Sequence, residues 1–126
     1  MAEMPIERNV LLEIHNERMR QNDKWGEQNH PDGTGGSEPV LGAIEAYANQ
    51  PRLGLLGGWA LARLATHTTN QAAKVGTVTW RDILLEEVFE ALAEDGSKNP
   101  EALRKELVQV AAVATQWVEA IDRRAE

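Results

Sequence analysis

Two helix starts, at Thr79 and at Asn99-Pro100, constrain the fold of the C-terminal half more than any other feature of the chain. Thr79 can cap a helix, and Asp82 three residues later completes a capping-box pattern. This predicts a helix from Thr79 to Glu94. Asn99 is a second cap, with Pro100 at the first helical position, and opens a helix that continues to about Arg123. Only Asp95-Gly96-Ser97-Lys98 separates the two, so they are expected to pack as an antiparallel hairpin.

The hairpin carries acids in an unusual place. On a wheel of about 100° per residue, Glu87, Glu90 and Glu94 share a narrow sector with Ile83, bordered by Trp80, Leu84 and Ala91. Acids that only solvate a helix sit opposite its apolar stripe. On the last helix the predicted stripe is Leu103, Leu107, Val110, Ala114, Trp117, Val118 and Ile121. Glu106 lies inside that arc beside Leu103, Val113 and Trp117, and Gln109 lies at its flank. Glu90 is six residues before Gly96 and Glu106 ten after it, so they can approach across the hairpin. Glu87, Glu90 and Glu106 would then converge, with Gln109 as a neutral oxygen donor. Half-buried carboxylates in such proximity repel one another, and a hard cation, Mg²⁺ or Mn²⁺, relieves the repulsion. The structural alternative is an acidic edge, solvated or paired with Arg and Lys, on an ordinary helical module.

Upstream, a first helix is expected from near Pro5 to about Asp23, with Ile6, Val10, Leu11 and Ile14 as its buried face. From Arg18 the chain becomes dense in hydrogen-bonding side chains and ends in the loop glycines Gly33, Gly35 and Gly36. In this patch Lys24 suits a phosphate, with Arg18 or Arg20 as further positive charge. Trp25 or His30 suits stacking on a base, and Gln21, Gln28 or Asn29 suits base or sugar edges. Val40 to Asn49 is expected as a short helix stopped before Pro51, while residues 53–58 are too Gly-rich to assign. Trp59 to Lys74 is expected as a helix with Leu61, Leu64 and Ala65 inward, His67 packing, and Gly76 ending it. Arg123 and Arg124 complement the last helix dipole.

The 126 residues fit one domain, 1–126, with a modest core. A net charge of −7 opposes binding to a nucleic-acid backbone, yet metal ions can bridge acidic side chains to the phosphates of a nucleotide. With no cysteine, disulfides, thiolate metal sites and Cys nucleophiles are excluded. No signal-peptide pattern or membrane-length apolar run is present, and a cytoplasmic protein without membrane contact is expected.

Glu86-Glu87-x-x-Glu90, followed by Glu106-x-x-Gln109, resembles the EExxE…ExxD signature of the MazG-like, all-α nucleoside triphosphate pyrophosphohydrolases. Two blocks carry the resemblance: 17–36, with Lys-Trp-Gly-Glu-Gln-Asn-His-Pro-Asp-Gly, and 79–124, with Glu-Leu-Val-Gln-Val-Ala-Ala-Val-Ala. They look like the small MazG-like proteins of actinobacteria and their phages and cover about half the chain. The resemblance implies an all-α small helical bundle completed by oligomerisation, as a homodimer or homotetramer. It further implies Mg²⁺-dependent cleavage of a nucleoside triphosphate, often a deoxynucleotide, to the monophosphate and pyrophosphate. By position, Glu87, Glu90 and Glu106 match metal ligands, and Glu86 matches the additional leading Glu. Glu87 or Glu90 would position or deprotonate the attacking water. Gln109 stands where the family usually has Asp, and an amide oxygen brings no charge to a metal. A nucleotide-binding or regulatory protein weakened in turnover is therefore the alternative, with Glu94 as a candidate compensating ligand.

Overall fold

The structure, a computed structural model, describes residues 6–35 and 58–125. They form four helices and no strand: α1 (Ile6–Trp25), α2 (Gly58–Lys74), α3 (Trp80–Ala93) and α4 (Pro100–Arg124). The expected helix over 40–49 and the unassigned segment 53–57 lie outside the described residues. No helix among the described residues is long and apolar enough to cross a membrane.

Three predicted boundaries are made by the residues that marked them, while the expected start near Pro5 lies outside the described residues and α1 runs on to Trp25 rather than ending at about Asp23. The Thr79 hydroxyl accepts from the Asp82 amide at 3.2 Å, and the Asp82 carboxylate accepts from the Thr79 amide at 3.0 Å. Asn99 Oδ1 accepts from the Ala102 amide at 3.2 Å, with Pro100 following. After α2, Gly76 takes φ +75°; its amide donates to the Ala73 carbonyl and the Thr77 amide to that of Ala72, closing the helix in a Schellman motif.

The loop after α1 is sewn onto the start of α3. The Trp80 amide donates to the Pro31 carbonyl at 3.0 Å and the Arg81 amide to that of Asp32 at 3.1 Å. With the Thr79 cap, these bonds satisfy the first-turn donors of α3 from within the chain. Gly33 permits the approach: it has φ +75°, and a Cβ there would lie 2.7 Å from Thr79 Oγ1.

α2 packs on α3, α3 on α4, and α1 on α4. Trp80 is fully buried, and around the helix contacts the buried apolar residues are small: Ala62, Ala91, Ala112, Val113 and Ala120. Small residues let helix backbones approach closely. That overturns part of the expected core. On α4, Leu107, Val118 and Ile121 are exposed, and the buried line runs instead through Ala112, Val113, Gln116 and Ala120. The helix is apolar around much of its circumference, and side-chain size, which a hydrophobic pattern ignores, selects the face that packs. Ile6 and Leu11 on α1 and Leu64 on α2 are likewise exposed rather than inward. α1 docks on α4 through charge instead. Arg18, 5% exposed, donates from Nε and Nη2 to the Glu119 carboxylate at 2.9–3.1 Å, and Arg104 pairs with Glu13.

Candidate metal and nucleotide site

α3 and α4 bring the carboxylates together as the hairpin requires. One oxygen each of Glu87, Glu90 and Glu106 lies within 4.8 Å of the others, and all three residues are half-buried. Glu87 Oε2 and Glu106 Oε2 are buried without a hydrogen-bond partner. Burial, followed by the charges of Glu90, Glu106 and Glu86, pushes the Glu87 carboxyl up to about 8. Burial, together with the charges of Glu106 and Glu86, raises Glu90 as well. Such a group is costly to ionise without a counter-charge. Hard oxygens at this mutual spacing, on residues of which Glu87 and Glu106 each keep a buried, unpartnered oxygen, fit a Mg²⁺ or Mn²⁺ ion.

Glu94 does not join them. α3 ends at Ala93, and Glu94, its C-cap, is outside the three-carboxylate group. Gln109 lines a separate cleft between α1 and α4 with Glu13, Glu17 and Arg20.

The polar patch of the first block serves mainly to hold the chain together. Arg18, expected to meet a phosphate, is held by Glu119, because the packing of α1 on α4 buries its guanidinium. The His30 ring packs edge-on against Trp80 at 5.0 Å, and burial lowers its pKa. Trp80 stacks on Trp117 at 6.4 Å, and Trp117 Nε1 donates to Asp32 at 2.8 Å. Arg123 donates to the Gln28 carbonyl and the Asn29 side chain and pairs with Glu27, while Arg124 pairs with Asp32. The two arginines thus clamp the loop in addition to facing the helix dipole. Arg20 pairs with Glu17 on its own helix. Gln21 is half-buried, with Oε1 unpartnered. Trp25 is 60% exposed with Lys24 Nζ 4.8 Å from its ring centre.

Sequence reasoning missed the contribution of α2. A cleft of about 460 Å³ is lined by Ala62, Arg63, Thr66, His67 and Asn70 of α2 and by Glu90 of α3. His67, expected to pack, is exposed in this cleft. The available signal was the i, i+3, i+4, i+7 spacing of residues 63, 66, 67 and 70, which puts them on one face. Lys24, Trp25, Gln21, Gln28, His30 and Arg18 are not among the residues lining it.

No family model, curated protein or solved structure matches this chain.

Proposed function

We propose that this protein is a Mg²⁺-dependent nucleoside triphosphate pyrophosphohydrolase, converting an NTP, in particular a dNTP, to the monophosphate and pyrophosphate. The observation that carries the assignment is the convergence of Glu87, Glu90 and Glu106 from two helices, with buried, unpartnered carboxylate oxygens. The EExxE…E spacing of the MazG-like enzymes falls on the same residues.

Glu87, Glu90 and Glu106 would hold the cation, and the charge of Glu86 adds to the field that favours it. When bound, the cation supplies the positive charge that neutralises the triphosphate and its pyrophosphate leaving group. Water attacks in line, the anhydride bond between the α- and β-phosphates breaks, and Glu87 or Glu90 accepts the proton that the water releases. Partial burial keeps the carboxylates poorly solvated, which strengthens their hold on that proton and on the cation alike.

A homo-oligomer belongs to the same proposal. Leu107, Val118 and Ile121 share one exposed face of α4, and their burial against a second copy would remove a sizeable apolar surface from water. Light scattering tests it: a monomer at micromolar concentration removes that part.

Pyrophosphate release from a panel of NTPs and dNTPs, with Mg²⁺ or Mn²⁺, is the deciding experiment. Metal-dependent release matched by nucleoside monophosphate is expected. Release from no substrate, with no change in melting temperature on adding Mg²⁺ and nucleotide, overturns the assignment, because a ligand of the native state must stabilise it. A melting shift without release selects the weakened nucleotide-binding alternative.

A further inference from the structure

One wall of the cleft beside the carboxylates comes from a helix outside both blocks of the MazG-like resemblance. α2 runs antiparallel to α3. Thr69 Oγ1 donates to the Asp82 carbonyl at the start of α3, and the earlier residues Ala62 and Thr66 line the cleft with Glu90 further along it. Arg63, Thr66, His67 and Asn70 make one polar stripe on α2. Such a stripe is ordinarily a solvent face. Here it borders the carboxylates, since Glu90 belongs both to the cleft and to the three-carboxylate group.

The cleft volume, about 460 Å³, lies in the range of small-molecule sites. A triphosphate entering it meets an acidic floor at Glu90 and requires positive charge beyond that of the metal. Arg63 is the permanent cation lining the cleft among the described residues, and its planar fork suits paired bonds to phosphate oxygens. One turn away, His67 offers a ring N–H donor, while Thr66 and Asn70 add a hydroxyl and an amide. We propose that α2 is the substrate-binding wall of the site, with Arg63 and His67 gripping the phosphate chain of the nucleotide whose metal Glu87, Glu90 and Glu106 hold. This placement rests on the pyrophosphohydrolase assignment. It moves the phosphate grip from α1, where Arg18 is held by Glu119 and Lys24 lies over Trp25 outside the cleft, to α2.

The test is calorimetric binding of an α,β-imido dNTP with Mg²⁺ to the wild type and to Arg63→Ala, Arg63→Lys and His67→Ala. Mn²⁺ affinity without nucleotide is measured in parallel by electron paramagnetic resonance. Arg63→Ala should weaken analogue binding by about tenfold or more, His67→Ala by less, and Arg63→Lys should recover part of the loss. Mn²⁺ affinity should stay within about twofold of wild type in all three, because none is a metal ligand. If the wild type binds the analogue and the Arg63→Ala and His67→Ala variants bind it within about twofold as well, α2 is not the wall, and the pyrophosphohydrolase assignment stands without it. If the wild type binds no analogue, both fall together.

Discussion

The loop after α1 and the α3–α4 hairpin are both rich in polar side chains, yet they treat those groups in opposite ways. In the loop region the key polar groups meet partners within the chain: Arg18 meets Glu119, Asp32 meets Trp117 and Arg124, and Asn29 meets Arg123. In the hairpin, Glu87 and Glu106 keep buried oxygens without any partner, and burial within the cluster raises the cost of ionising Glu87. A polar group with internal partners builds the fold. Acids gathered in one place with buried, unpartnered oxygens make a candidate site for a cation.

The largest expected effect breaks the hairpin side of the contrast. Glu90→Gln should lower pyrophosphate release by about a hundredfold or more, while the thermal midpoint holds or rises as repulsion among the acids is relieved. Unaltered turnover would remove Glu90 from the chemistry.

Arg18→Ala tests the other side. It strands Glu119 and should cost about 2 kcal/mol in denaturant unfolding, less than for a fully buried pair because the Glu119 side chain keeps 38% exposure. KM for the nucleotide in the folded protein should not move; a raised KM would return Arg18 to the substrate. Gly33→Ala should destabilise by about 1–2 kcal/mol, since it forces φ +75° on alanine and sets a Cβ against Thr79. A neutral result would mean that the loop does not approach α3 so closely.

The metal-free protein should also lose stability as pH rises. The Glu87 carboxyl is raised from 4.5 to about 8 in the folded state, so between these values the folded protein holds a proton that the unfolded chain has released. This contribution is fully present below about pH 4.5 and is lost as pH climbs through about 8. Thermal melts across that window should show the decline, and Glu87→Gln should flatten it. A melting temperature that rises steadily across the window and is unaffected by Glu87→Gln would contradict the buried, repelling cluster.

Trp25→Ala is the mildest change. The side chain is 60% exposed, and stability should move by no more than about 0.5 kcal/mol. A rise in KM for dNTPs in this variant would place the base at the end of α1.

Much of the hairpin was legible in the chain because its signals are local. A cap bonds to amides three residues away, Gly76 and Pro100 set dihedral angles of their own backbone, and a four-residue turn leaves two helices one way to pack. The meeting of Glu87, Glu90 and Glu106 followed from that geometry. The roles of Arg18, His30 and Asp32 did not, because each depends on a partner 50 to 101 residues away that no spacing rule connects to it.

By itself, then, the sequence determined where α3 and α4 begin, where α2 ends and which acids share a hairpin, all consequences of short-range bonding and helical period. Tertiary structure alone decided which face of α4 packs, which cations are locked in internal pairs, and that α2 walls the cleft beside Glu90. The physical reason is that close packing selects by size and shape between segments far apart in the chain, and hydrophobic periodicity within one helix carries neither.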